Sequence, residues 1–236
     1  GAWNVPGLCQ AGLVIGSFDL ARGGHGSVAD SPDLDIELLR GVIRVLVDDE
    51  LFTSSGELTP DFLNTVDALV LASNYTSSSA VTPLSPAEQA ALFDYVLGGG
   101  DLILAMENIE LSPTADITHE SFLDPFGMSI TGVIPGVTTA NLLEPDHPIF
   151  EGELGLFPTF EMSRTGWFDE LGPYARTLAE SAVNNQPVMA LIDRNVIAPG
   201  SGRVLITADT QIWERDINMT GNMVLYFAAV PEPDSL

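Results

Sequence analysis

The chain contains no lysine. Its eight basic residues are all arginine, against 33 aspartates and glutamates, and the formal net charge is -25 over 236 residues. So one-sided a surface repels a phosphate backbone and an anionic bilayer, which argues against nucleic acid and acidic membranes as partners. There is one cysteine, Cys9, so no disulfide closes within the chain. No apolar run approaches the roughly 20 residues that a membrane-crossing helix needs, so no membrane insertion is expected of the chain as given. The three histidines, His25, His119 and His147, are far apart, and neither His-x-x-x-His nor Cys-x-x-Cys spacing occurs, so a zinc site is not expected. A lysine-bearing phosphate loop and a Gly-x-Ser-x-Gly elbow are missing as well. What is plentiful excludes intrinsic disorder: 45% of residues are hydrophobic and only 17% charged.

The acid excess has three readings. It keeps the protein soluble by mutual repulsion; divalent cations, calcium above all, bridge the carboxylates outside the cell; or the habitat is saline or alkaline. The candidates for calcium are Asp33 and Asp35 in Asp30-Ser31-Pro32-Asp33-Leu34-Asp35, and Asp48 and Asp49 in Asp48-Asp49-Glu50. Neither stretch has EF-hand spacing, and solvated helix ends explain both equally. No other cofactor is expected. Cys9 reads as a buried thiol, with an interchain bond as the alternative. Gly1-Ala2-Trp3 suits a mature end left by export processing.

Along the chain the text is that of an α/β domain. Residues 12–18 form an apolar run bounded by glycine and Asp19, as a buried parallel strand reads. Arg22-Gly23-Gly24-His25-Gly26-Ser27 reads as a flexible loop. Helical spacing follows at Ile36, Leu38, Leu39, Val42, Ile43 and Leu46, with Asp33, Asp35 and Glu37 at the positive end of the dipole. A second strand is expected at 67–72. Ser85-Pro86-Ala87-Glu88 is a capping box with proline at the first helical position, Gly98-Gly99-Gly100 ends that helix, and a third strand runs over 101–106. From 129 to 194 proline and glycine are frequent and strands look short, which reads as a β-rich elaboration of the sheet. Two more strands, at 188–192 and 202–209, and a closing helix over 222–229 complete the pattern. The expectation is a doubly wound, mostly parallel sheet in a single domain over 12–229, between an N-terminal tail (1–11) and a C-terminal tail (230–236).

Two stretches together resemble the class I glutamine amidotransferase-like (flavodoxin-like) domain. They are Leu58-Thr59-Pro60 through Asp67-Ala68-Leu69-Val70-Leu71-Ala72, and Leu84-Ser85-Pro86-Ala87-Glu88 through Gly98-Gly99-Gly100-Asp101-Leu102-Ile103. Asp146-His147-Pro148-Ile149-Phe150-Glu151-Gly152 resembles a loop of the non-enzymatic and trehalose-utilisation-like branches, and residues 202–209 resemble their late strand. In catalytic members a cysteine nucleophile follows the third strand, with His and Glu supplied later. Here that place reads Met106-Glu107-Asn108, so an amidotransferase mechanism is not expected. Glu107 with His119 as a base pair is the alternative to a structural carboxylate there. Val230-Pro231-Glu232-Pro233 resembles the sorting motif of PEP-CTERM proteins, exported bacterial proteins handled by an exosortase. The membrane helix and basic cluster that follow it in that family are not in the sequence.

The resemblances imply an exported, non-catalytic protein of the cell surface or extracellular space, whose tails dock onto neighbouring copies to build a filament, sheet or matrix. Its partners would be itself and, secondarily, an extracellular polysaccharide. A monomeric module for a glycan, small ligand or protein is the second expectation. It would use the carboxyl ends of the strands, where α/β sheets bind ligands, with Asp19, Ser73, Asn74, Glu107 and Asp209 lining the crevice. A carboxylate- or metal-dependent hydrolase at the same place is the third. The tryptophans Trp3, Trp167 and Trp213 are too dispersed for a sugar platform.

Overall fold

The computed structural model describes residues 13–46, 51–76, 79–212 and 216–228. A nine-stranded sheet runs through them. In chain order its strands are β1 (Val14–Phe18), β2 (Leu51–Ser55), β3 (Ala68–Ala72), β4 (Asp101–Ala105), β5 (Val137–Leu142), β6 (Glu161–Ser163), β7 (Arg176–Ser181), β8 (Pro187–Ile192) and β9 (Val204–Thr207). Their spatial order is β6-β5-β7-β8-β9-β4-β3-β1-β2. The stretch from β9 to β2 is parallel, and that from β6 to β9 antiparallel. Longer helices are α1 (Leu34–Leu46), α2 (Pro86–Leu97), α3 (Ala115–Leu123) and α4 (Ile217–Ala228).

The strand sequences explain this division. Every residue of β3 and β4 is buried, because helices cover both faces, and both read as unbroken apolar runs. Strand β5 alternates exposed and buried residues until its last position, as a strand with one wet face must. Successive residues of β1 point to opposite faces. Ile15 joins Val70 and Ile103 beneath Leu39 and Ile43 of α1 and Met223 and Val224 of α4. On the other face Phe18 meets Phe122 of α3 edge-on, ring centroids 6.2 Å apart, and Phe93 of α2 meets Phe126 at 6.0 Å. A Cβ on Gly16 would stand 2.7 Å from Val66, so the crossover into β3 needs glycine there.

The capping box forms as the sequence implies. The Ser85 hydroxyl accepts from the Glu88 N–H at 3.3 Å, and the Glu88 carboxylate accepts from the Ser85 N–H at 2.9 Å. Glu88 also takes the Leu58 N–H and the Arg22 guanidinium, which stacks on the Phe18 ring at 4.2 Å. Burial alone would raise the Glu88 pKa; Arg22 and the two main-chain donors override it and hold the carboxyl down at about 2.

Several elements differ from the sequence reading. Strand β2 is not expected from Leu-Phe-Thr-Ser-Ser, which carries little hydrophobicity; it stands at the sheet edge, where little is needed. The Arg22–Ser27 stretch is not an irregular loop. Leu20–Gly23 is a short helix capped by Asp19, followed by a tight turn at Gly24–Gly26. Helix α3 is also not expected, its apolar spacing being diluted by threonine, histidine and serine. Helix α4 starts five residues before the expected point. Between 129 and 194 the chain supplies β5 to β8, which extend the main sheet, together with a small hairpin (151–156) and a two-stranded ribbon joining 129–131 to 167–170. Trp3, Cys9, Asp48, Asp49, Trp213 and Val230, Pro231, Glu232 and Pro233 lie outside the described residues, as does the side chain of Asp35.

The amino ends of β4 and β9 are tied by charge. Asp101 is buried and accepts from Arg194 at 2.7 Å and from Arg203 at 2.6 Å. Arg203 also donates to the carbonyls of Tyr226 and Phe227, the last turn of α4, and its guanidinium lies 4.7 and 5.0 Å from their ring centroids. One cation therefore neutralises a buried carboxylate and closes a helix C-terminus.

Candidate functional site

At the opposite, carboxyl ends of β3, β4 and β9 the chain leaves the sheet and opens a polar cavity of about 200 Å³. Its walls include Asn74, Glu107, Asn108, Arg164, Thr210 and Gln211. Glu107 is the centre of the arrangement. It is buried two residues beyond β4, with one oxygen accepting from the Asn108 N–H at 3.0 Å and from its Nδ2 at 2.9 Å. The other oxygen accepts the Thr210 hydroxyl at 2.9 Å. Thr210 in turn accepts from Asn74 Nδ2 at 3.2 Å. Burial raises the Glu107 pKa, and the Asn108 and Thr210 donors oppose that rise without cancelling it. The loops after three strands are thus braced through one carboxylate, both of whose oxygens have a protein donor.

The other expected crevice residues are placed differently. Asp209 is buried, its carboxylate accepting from the Ser163 N–H at 2.6 Å and the Gln211 N–H at 2.8 Å, so it anchors β6 to the end of β9. Ser73 is fully buried and does not line the cavity, its hydroxyl without a hydrogen-bond partner. Asp19 caps the short helix after β1, accepting from Arg22 N–H at 2.9 Å, and does not line the cavity. Of the five residues expected at the crevice, Asn74 and Glu107 line it.

The pairing of Glu107 with His119 does not form. The His119 ring is buried in α3 with no partner on either nitrogen, while the Glu107 bonds go to Asn108 and Thr210. Burial pushes the His119 pKa down to about 4, so the ring is neutral at pH 7. Among the described residues no group of three or more His, Cys, Asp or Glu side chains is placed to hold a metal ion. Asp33 faces the exposed His25 ring at 3.5 Å. No helix of the described residues is long and apolar enough to cross a membrane.

Sequence reasoning missed Asn108, Arg164 and Thr210. Asn108 and Thr210 each directly follow a carboxylate already singled out, and reading strand ends as residue pairs would have found both. Arg164 carried no signal in its spacing. It adopts φ 55°, a left-handed conformation uncommon outside glycine, with its N–H bonded to the Gly136 carbonyl.

The sequence matches no protein-family model and no curated protein. Solved structures, in contrast, match along nearly its whole length. The N-terminal domain of mmIFT52 superposes with a TM-score of 0.62 at 13% identity, covering 94% of this chain and 99% of that one. A ThuA-like protein from Bacteroides uniformis gives 0.55 at 15% identity, with 96% and 92% covered. A GMP synthase protein from Thermoplasma acidophilum gives 0.50 at 15%, with 91% and 95% covered. The fold is the class I glutamine amidotransferase-like fold. At such identities the likeness is one of architecture.

Proposed function

We propose that this chain is an exported, non-catalytic bacterial surface protein, a self-assembling structural subunit of an extracellular filament, sheet or matrix. The observation that carries the non-catalytic part is the state of Glu107. It stands where catalytic relatives of this fold would carry their cysteine nucleophile, and its carboxylate is bonded to Asn108 and Thr210. A general base needs a lone pair free for the substrate proton. Here the lone pairs hold loops together. The resemblance of Val230-Pro231-Glu232-Pro233 to an exosortase sorting motif supports export, and the charge of -25 suits a protein whose packing is governed by external cations.

The test is the light-scattering mass of the untagged chain, first with calcium and then with chelator at low salt. The expected result is a mass well above 25.1 kDa that falls on chelation. A steady monomer in both buffers would overturn the assembly. Polymer that survives chelation in low salt would remove the cations from the account and leave the assembly.

The cavity favours a second reading, a binding module for a small polar ligand, because Asn74, Arg164 and Gln211 bring amide and guanidinium groups to its walls. A glycan array without hits would count against it. Hydrolase activity would require turnover that Glu107→Gln or Asp209→Asn abolishes.

A further inference from the structure

Three neighbouring parallel strands each deliver one side chain to a single line of hydrogen bonds. Asn74 stands two residues beyond β3, Glu107 two beyond β4 and Thr210 three beyond β9, and β4 lies between the other two in the sheet. The Asn74 Nδ2 donates to Thr210 Oγ1 at 3.2 Å, and the Thr210 hydroxyl donates to Glu107 Oε2 at 2.9 Å. The hydroxyl proton is therefore directed at the carboxylate, and a lone pair of Oγ1 faces the amide. Glu107 is held in place, because Asn108 binds its other oxygen through the N–H at 3.0 Å and Nδ2 at 2.9 Å. Thr210 and Glu107 are 7% and 5% exposed, so water is nearly excluded from them, while Asn74 is half-buried in the cavity wall. A hydroxyl set between a carboxylate and an amide is a nucleophile with its base on one side and an electrophile on the other. The carboxylate lone pair that is closed to an outside substrate is open to one proton, that of Thr210.

We propose that Thr210 and Asn74 join in an ester cross-link, formed by the folded chain on itself with Glu107 as the proton carrier. The Asn74 amide turns about its soft terminal torsion and presents Cγ to the hydroxyl. Thr210 Oγ1 then bonds to Cγ while its proton passes to Glu107 Oε2. The Cγ–Nδ2 bond of the tetrahedral adduct breaks, Glu107 gives the proton to Nδ2, and ammonia leaves through the cavity. The products are one ester and one ammonia; no oxidant, metal or co-reactant enters, and Glu107 ends as it began. Fixed contact supplies the encounter that a free alcohol and amide lack, and loss of ammonia to the solvent makes the step one-way. Burial raises the Glu107 pKa, which makes its ionised form a stronger base toward the hydroxyl. The distances above are those of the chain before the bond forms. The reaction runs once per chain and converts no external substrate, so it goes beyond the surface-protein reading without altering it. The finished bond would tie residues 136 positions apart across the ends of β3 and β9.

The test is the intact mass of the folded chain, followed with time after purification, together with a peptide map. The wild type is expected to lose the mass of one ammonia. Its digest should then contain a branched peptide that joins the segment around Asn74 to the segment around Thr210. Alkaline hydroxylamine, which cleaves an ester, should part that peptide in two. Thr210→Val, Asn74→Ala and Glu107→Gln should each keep the full mass. A wild type that keeps its full mass on long incubation overturns the cross-link. So does a loss of ammonia that persists in Thr210→Val, because it belongs to an asparagine closing on its own backbone. Cross-linking at an unchanged rate in Glu107→Gln overturns the part given to the carboxylate. If the variants fail to fold, the presence or absence of the branched peptide in the wild type decides alone.

Discussion

Two buried carboxylates stand at opposite ends of β4, and they are held by opposite means. Asp101, at the amino end, has two arginines and a main-chain donor. Glu107, beyond the carboxyl end, has neutral donors only. The first is a neutralised charge; the second is a carboxylate whose ionised form is penalised by burial, with its pKa raised. Among the described residues two arginines are bonded to Asp101, whereas Arg164 lines the cavity without bonding Glu107. The comparison also ranks the two ends: removing a partner should cost most where a charge is left behind.

Arg203→Met is therefore expected to have the largest effect. It removes one of the two cations facing Asp101 and leaves the carbonyls of Tyr226 and Phe227 without their donor. Breaking a buried pair from one side costs about 3–5 kcal/mol, to be read from urea denaturation. Adding Asp101→Asn should return part of that loss, and strict additivity of the two changes would refute the coupling. At the other end Glu107→Gln should cost less, about 1–3 kcal/mol, because an amide nitrogen replaces one acceptor and orphans a donor but strands no charge. An equal or larger loss than in Arg203→Met would invert the ranking.

Acid sharpens the same contrast, using Glu88 as the counterpart of Glu107. The folded-state pKa of Glu88 lies below its ordinary 4.5, at about 2, so its contribution is complete above pH 4.5 and drains away as pH falls toward 2. For Glu107 the folded-state pKa lies above 4.5, so the folded protein holds a proton that the unfolded chain has released. Stability is then lost as pH rises from 4.5 through the raised value. Measured against pH, Glu88→Gln should flatten the acid limb, and Glu107→Gln should remove the decline above 4.5. Identical profiles for both variants would show that the two sites titrate alike.

Most of the parallel half was legible because its signals are local. Ser85-Pro86-Ala87-Glu88 fixes a helix start whatever surrounds it, and the wholly buried β3 and β4 can only read as apolar runs. Strand β2 and helix α3 were not legible, since a half-exposed edge and a helix studded with Thr118, His119 and Ser121 draw their stability from neighbours. At the site, the place of Glu107 followed from the strand end, but its partners did not. Thr210 lies 103 residues away, and only the sheet order, which sets β9 beside β4, brings it there.

The smallest expected effect concerns Arg164, a cation in the wall of the cavity at the neutral end. Arg164 lines the cavity, yet its closest approach to Glu110 is 3.7 Å and both side chains are at least 60% exposed, so this ion pair contributes little. Its backbone matters more. At φ 55° glycine is unstrained where other residues are not, although it gives up more chain entropy on folding. Arg164→Gly should thus be neutral or stabilising by about 0.5 kcal/mol, and Arg164→Ala, which keeps the backbone strain, should leave stability nearly unchanged. If both variants lost stability equally, the side chain and not the backbone would be holding the mouth of the cavity, and a ligand for that guanidinium would become the better reading of this end of the sheet.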